Sequence, residues 1–472
     1  MPRFYCNLFF SKIKPHPFYL LPGLFFVFIL VSGCAGPRVR VGDEQIEKPL
    51  LEATGVQTQQ VRDATSKKEL GLWDAYALAV ERTERLASRY ESLEQAKAVK
   101  QQAVGSYIPH VYLNSSKGIW GPSGNSSGVS LSLHGNQALL TGFNEIAALK
   151  GAKALVRQRQ LELRFDAQRL LLDVARSYYG VLQLQESLRN EQASNELAQK
   201  MLKEQRVFRV QGRIRESDVL SSETELASSD ANLVSIQDQL EQAREQFALL
   251  TGTEEDRVLA DANPAAFPNV PSTLEQALKE TAQRPDVLAA KENLQVQKST
   301  LLAAEGGYAP VISAQGDIFM SHQGTVAANA PKWDAYLSAS LPIFTGGQTE
   351  GKIRESKSMV RQAELQMTQT LHAAREEVRQ AYTAFQNSVK QDAAYQKALT
   401  AAVKSHKAQS EDYRLKLTNV VQYLQSLTDL ESAQLNAARS RYQWRIQRVW
   451  LGVATGRWPN VGAESNHSEV RP

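Results

Sequence analysis

The sequence predicts a mainly α-helical protein with a small transmembrane β part, organised as internally duplicated long helical hairpins. Three observations carry this. The chain repeats itself at an offset of 201 to 204 residues, long proline-free stretches show a coiled-coil apolar period, and short segments between them alternate apolar with small polar residues.

The 472 residues are 22% charged and 42% hydrophobic, with a mean hydropathy of −0.37, too polar for a polytopic helical membrane protein and too apolar for disorder. The formal charge is +4, and residues 1–33 contribute Arg3, Lys12 and Lys14 with no acid. The remainder is nearly neutral, so no strong field recruits nucleic acid. Cys6 and Cys34 are the two cysteines, both too near the amino terminus to staple a core or build a metal cluster.

Residues 1–33 read as a secretory signal: basic residues, an apolar run from Phe18 to Val31, then small residues. The run falls short of the roughly 20 residues a transmembrane helix needs. It ends in Val31-Ser32-Gly33-Cys34, which resembles a bacterial lipobox. That resemblance implies cleavage before Cys34 and a covalent lipid on it, the one attached group expected; residues 34–70 follow as an acylated linker. Ala35 after the cysteine implies sorting to the outer membrane.

Repeat one spans 71–252 and repeat two 272–456, joined by a Pro-rich linker at 253–271 and followed by a tail at 457–472. Ala103, Gly105, Tyr107 and Pro109 fall on Ala304, Gly306, Tyr308 and Pro310 at offset 201. Thr141-Gly142, Val156-Arg157-Gln158 and Thr251-Gly252 fall on Thr345-Gly346, Val360-Arg361-Gln362 and Thr455-Gly456 at offset 204. The three-residue change places one insertion in a loop.

Each repeat is expected to hold a medium helix, two strands, a long helix and a second medium helix. The medium helices open the repeats at Trp73–Val104 and Ser272–Ala303. Proline is absent between Pro122 and Pro264 and between Pro342 and Pro459, which permits long helices at 143–211 and 348–417. Leu149, Val156, Leu163 and Leu170 recur every seven residues, and Val360, Met367, Leu371, Ala374, Val378 and Ala381 step by sevens, fours and threes. Each long helix reaches roughly 100 Å, twice the length of the medium ones. Two medium helices stacked end to end therefore match one long helix, at a waist where linker and tail collect.

In 128–135 apolar residues alternate with Ser130, Ser132 and His134; 334–341 is its counterpart, with weaker partners at 111–120 and 311–322. Strands of about ten residues cross an outer membrane at a tilt. Ser130, Ser132 and His134 are expected to face a lumen, with Val129, Leu131 and Leu133 toward lipid. An edge left open in lipid costs several kcal/mol per unpaired amide, and the smallest natural barrels have about eight strands. Four strands per chain therefore require several chains to share one barrel.

Tyr107-Ile108-Pro109, Tyr308-Ala309-Pro310 and Leu341-Pro342-Ile343-Phe344-Thr345-Gly346-Gly347, with the duplication, resemble the TolC family of outer-membrane efflux proteins over essentially all of the mature chain. The resemblance implies a homotrimer in the outer membrane of a Gram-negative bacterium, with a shared 12-stranded β-barrel continued by an α-barrel through the periplasm. It implies a passive exit duct for small molecules or proteins, working with a periplasmic adaptor and an inner-membrane pump. It also implies that the hairpin tips form the gate. Gly212, Arg215 and Asp218 stand at the first tip and Tyr413, Arg414, Lys416, Thr418, Gln422 and Gln425 at the second. Lys416 replaces the family's usual glycine, Thr418 its arginine, and Gln422 and Gln425 its frequent acids; Asp218 would need a donor or cation, with Tyr413, Arg414 and Lys416 at hand.

No Walker loop, dinucleotide fingerprint or nucleophile elbow appears, and the seven histidines are dispersed, so neither an enzyme nor a metal site is expected. The alternative is a periplasmic coiled-coil adaptor or scaffold lipoprotein without a pore.

Overall fold

A computed structural model describes residues 50–51, 54, 56–117, 129–253, 257–261, 269–321 and 332–457; the signal and Cys34 lie outside the described residues. In chain order the elements are α1 (Thr58–Ser66), β1 (Glu69–Leu70), α2 (Leu72–Arg82), α3 (Glu84–Gly105), β2 (His110–Lys117), β3 (Val129–Thr141), α4 (Asn144–Val210) and α5 (Glu216–Thr251). They continue with β4 (Val258–Leu259), α6 (Leu274–Glu280), α7 (Pro285–Glu305), β5 (Val311–Ser321), β6 (Trp333–Ser340), α8 (Gln348–Arg414) and α9 (Val420–Ala454). None of these helices is long and apolar enough to cross a membrane.

The two long helices hold 67 residues each, roughly 100 Å. α4 packs along α3, α5, α7 and α9, and α8 along α7 and α9. Of the apolar seam read from the sequence, Leu163 and Leu170 of α4 and Ala374, Val378 and Ala381 of α8 are buried, whereas Leu149, Val156, Val360, Met367 and Leu371 are half-buried.

β2, β3, β5 and β6 form one antiparallel sheet in that order. Its register carries the repeat. His110 pairs with Asn136 and Val311 with Ser340, so adding 201 to the first strand and 204 to the second maps one hairpin onto the other. The three-residue insertion therefore lies in the loop between the strands. The repeats join through β3 and β5 and, at one elbow, through two glycines: a Cβ on Gly142, which has φ +62°, or on Gly306 would fall onto the other's carbonyl.

The opening helix of each repeat is broken, where a continuous one was expected. Thr83 (φ −77°, ψ 111°) separates α2 from α3, and Arg284 (φ −61°, ψ 142°) separates a short 3-10 turn from α7. Pro285 accounts for the second break, because a residue before proline is driven out of the helical region. Thr83 is the 201-residue counterpart of Arg284 but precedes Glu84, so no proline sets the first. Both breaks meet the end of a stacked medium helix: Gly252 lies against Arg82, and Gly456 against Arg284.

At this level the chain makes its main core and its most buried polar bonds. Parallel β1 and β4 pair Glu69 with Val258 and Leu70 with Leu259, and Tyr178 Oη donates to the carbonyls of Leu70 (2.9 Å) and Ala260. Tyr178, Tyr179, Phe247 and Tyr442 pack around them, and Trp450 lies against the core. Burial raises the Tyr442 phenol to about 12. Arg445 pairs with Asp261, and Arg457 with both oxygens of Glu280 at 2.7 and 2.9 Å. Residues 258–261 and Arg457 thus lie at the waist. Arg284, 2% exposed, donates to Asp286 (2.8 and 3.0 Å), Glu377 (2.7 Å) and the Ala454 carbonyl (2.7 Å). Two carboxylates hold that guanidinium protonated against the cost of burial.

Arg284→Met should strand Asp286 and Glu377 and lower stability by about 3 kcal/mol. The expected reading is a fall in the denaturant midpoint of the full chain; an unchanged midpoint would remove Arg284 as the pin of the waist.

Candidate functional site

Two regions of the structure stand apart from the packed helices: the sheet at one end of the long helices and the tips at the other. Directly opposed residues share a face of a sheet. One row across all four strands is Tyr112, His134, Asp317 and Asp334, and the rows beside it hold Asn114 with Ser132 and Asn136 with Gln315 and Tyr336. The other face carries Leu113, Leu133, Ile318 and Trp333 in one row. Ser132 and His134 therefore lie on the polar face, opposite Leu133; Ser130 opposes Ser116 in the register, and its side chain lies outside the described residues.

The apolar face is open. Leu113 is 62% exposed, Trp333 66% and Leu337 68%. Apolar area left in water forgoes roughly 25 cal/mol per Å², and both outer strands, β2 and β6, keep one edge unpaired among the described residues. Natural soluble sheets cover or charge such edges. The polar face has its own order. His134 Nδ1 lies 3.0 Å from Asp317 Oδ1, Ser313 and Ser338 share a bond of 2.8 Å, and Tyr336 Oη donates to Gln315 at 2.5 Å.

At the tips, Gly212 and Lys416, 204 residues apart, occupy the same left-handed conformation at φ +68° and +62°. A lysine there meets the steric cost that glycine avoids. The next helices are capped differently. Asp218 Oδ2 accepts from the Arg215 backbone N–H at 3.3 Å, across the start of α5, whereas Asn419 Oδ1 accepts from the Gln422 N–H at 2.9 Å. Asp218 thus spends its carboxylate on its own helix. Tyr413 is tied elsewhere, its hydroxyl accepting from Gln205 Nε2 at 3.5 Å, a long bond between the two hairpins. Thr418 donates to Gln422, and Gln425 to Asp429 at 2.9 Å. Arg414 and Lys416 make no ion pair among the described residues.

The sequence reading missed what surrounds Tyr413. Its ring lies 5.2 Å from that of Tyr423, which lies 5.3 Å from the His406 ring, over Met201 and Val420. Ser426 Oγ donates to the Tyr423 carbonyl at 2.7 Å, which leaves its lone pair to accept from His406 Nδ1 at 3.0 Å. Burial lowers the His406 pKa, and burial raises that of Tyr413, with the nearby Asp218 charge adding to it. Higher up, arginines lace the first hairpin, Arg206 to Glu223 at 2.8 Å and Arg209 to Glu216 at 3.1 Å.

A duplicated helical hairpin bearing a two-faced, open-edged sheet defines a class of envelope protein. The model of the outer membrane efflux protein family matches residues 275–457, the second repeat. The chain is 22% identical over 382 residues to outer membrane protein TolC of Escherichia coli (strain K12), covering 78% of this chain and 77% of that one. Among solved structures, the CmeC outer membrane channel of Campylobacter jejuni superposes with a TM-score of 0.71 at 17% identity over 84% of this chain and 88% of its own. The outer membrane protein VceC of Vibrio cholerae gives 0.69 at 18% over 82% and 96%. At these identities the superpositions speak for the fold.

His406 titrates below its ordinary 6.5, so its contribution to the tip is complete above that value and is lost as pH falls through the lowered one. Amide protection in residues 405–425, corrected for intrinsic exchange, should drop between pH 7.5 and 5, and His406→Gln should flatten the dependence. Equal protection at both values would sink this assignment.

Proposed function

We propose that three copies of this chain close their sheets into one 12-stranded barrel in the outer membrane of a Gram-negative bacterium, continued by an α-barrel through the periplasm. The assembly is the passive exit duct of a tripartite system. The observation that carries this reading is the sheet: polar on one face, apolar and bare on the other, and open at both edges. Bilayer hydrocarbon suits the bare face, and neighbouring copies suit the edges. A scaffold without a pore leaves both unexplained.

Ser130, Ser132 and His134 then line the lumen, on the face that also carries Asp317 and Asp334. An inner-membrane pump selects the cargo, small molecules or proteins, and a periplasmic adaptor engages the tips. Cys34 carries a covalent lipid that holds the linker of residues 34–70 at the membrane. The Gln205–Tyr413 bond is one restraint at the tips between the two hairpins of one chain, with Asp218 nearby. Links of this exposure are worth about 0.2 to 1 kcal/mol, weak enough for an adaptor to open.

Single-channel recording in planar bilayers tests the gate. Tyr413→Phe with Asp218→Asn, the second chosen because it keeps an acceptor for the Arg215 N–H, should raise conductance severalfold. Wild-type conductance would remove these residues from the gate, and absence of any channel would overturn the proposed function. Because Gln422 and Gln425 are neutral, trivalent cations added on the tip side should block weakly; tight block would contradict their placement at the entrance.

A further inference from the structure

The two long helices begin with the same pattern of positive charge. In α4, Lys150, Lys153 and Arg157 are exposed, and the offset of 204 carries them onto Arg354, Lys357 and Arg361 of α8, exposed as well. The repeat then drops the pattern: the next five cations along α4, from Arg159 to Arg189, fall on no cation in α8. It returns only near the tips, where Lys200 and Lys203 fall on Lys404 and Lys407. A chain of formal charge +4 therefore keeps two matched basic clusters, and the first lies directly beneath the sheet.

Spacing and direction show what the first cluster faces. Steps of three and four residues set each trio on one face of its helix. On α4 that face also carries Ile146, 42% exposed and one turn nearer the sheet, after the exposed Phe143 of the elbow. The elbow before α8 leaves Ile343 and Phe344 almost fully exposed. The wall thus passes from the bare apolar face of the sheet through a bare apolar collar to a basic stripe, the order of hydrocarbon, interface and phosphate in one leaflet of a bilayer. A water-filled lumen offers the collar no partner. Lys150 stands six residues after Asn144, the first residue of α4, roughly 9 Å along the axis. Helical side chains lean toward the helix N-terminus, here the membrane end, so the ammonium groups reach back toward a headgroup layer roughly 5 to 8 Å deep.

Three acids at this level are already engaged: Thr141 donates to Glu145, Tyr308 to Glu350, and Arg157 to Glu292 at 2.8 Å. Glu355 lies about 100° around the helix from Arg354. On α8, Arg354, Lys357 and Arg361 line a cleft of about 320 Å³ with Tyr308, Glu350 and Ile353, room for a phosphate ester.

We infer that this stripe docks the anionic phospholipid headgroups of the periplasmic leaflet, with Lys150, Lys153, Arg354 and Lys357 nearest the phosphates. The inference rests on the channel reading and adds to it where the membrane ends and which lipids the channel holds. Long flexible stems suit a headgroup plane that offers no fixed acceptor geometry.

The test uses the full-length protein, immobilised in neutral detergent and equilibrated with mixed micelles of phosphatidylglycerol and phosphatidylcholine in equal amounts, the retained lipid being counted by mass spectrometry. Wild type should prefer phosphatidylglycerol by about fivefold at about 0.1 M salt and lose that preference at about 1 M. Lys150→Gln, Lys153→Gln, Arg354→Gln and Lys357→Gln together should lower retained phosphatidylglycerol by about threefold or more. Arginine at positions 150, 153 and 357 should preserve it, which separates lost charge from a disturbed fold. Lys200→Gln with Lys203→Gln, in the other matched cluster, should leave it unchanged. Wild-type retention in the fourfold variant, or loss from the arginine or tip variants, overturns the assignment while the channel stands. A changed ratio of potassium to chloride permeability in the fourfold variant would put the stripe in the lumen and overturn it too. A wild-type chain that forms no channel in planar bilayers overturns both readings.

Discussion

The structure depends on a sheet that one chain leaves open at both edges. Four strands leave two edges of unpaired amides, and one face carries Leu113, Trp333 and Leu337 bare. In water such a sheet is a liability; in hydrocarbon the face is satisfied and only the edges remain. The long helices inherit the same incompleteness. α8 lacks the neighbour that α4 has on either side, and it buries seven of its residues where α4 buries 23. Sheet and helices are open on the same side because the chain runs from one into the other through the elbows at Gly142 and Gly346.

The waist supplies what the sheet cannot. Most of the buried apolar side chains gather there, around Tyr76, Tyr178, Tyr179 and Phe247, with the linker strand β4 clamped by Tyr178. The buried Arg284 joins α7, α8 and the end of α9 in one network. A single chain thus has a core of its own, away from its open edges. The waist also lets two medium helices stand in line with one long helix, because each break meets a glycine-ended helix.

The tips are built on the opposite principle. Their cluster is small, the bond between hairpins is long, and Arg414 and Lys416 at the second turn make no ion pair among the described residues. Low local stability is what a moving element requires. The duplicated turns also differ in chemistry: an aspartate three residues into the helix caps one, an asparagine side chain caps the other, and glycine and lysine share the same left-handed position. One tip can therefore change without the other.

The duplication, the length and limits of the long helices, the alternation in the strands and the positions of the tips were legible in the sequence, because each rests on local periodicity or on glycine and proline. Asp218 and Tyr413 were legible as tip residues, but not their partners. Tertiary structure alone decided that Asp218 caps its own helix, that Tyr413 reaches Gln205, and that His406, Tyr423 and Ser426 gather beside it, since these contacts join residues distant along the chain. It also decided the break at Thr83, which has no proline to announce it. The sequence states a pattern twice; only packing in three dimensions determines which copy of each contact is met inside the chain and which is left open at its edge.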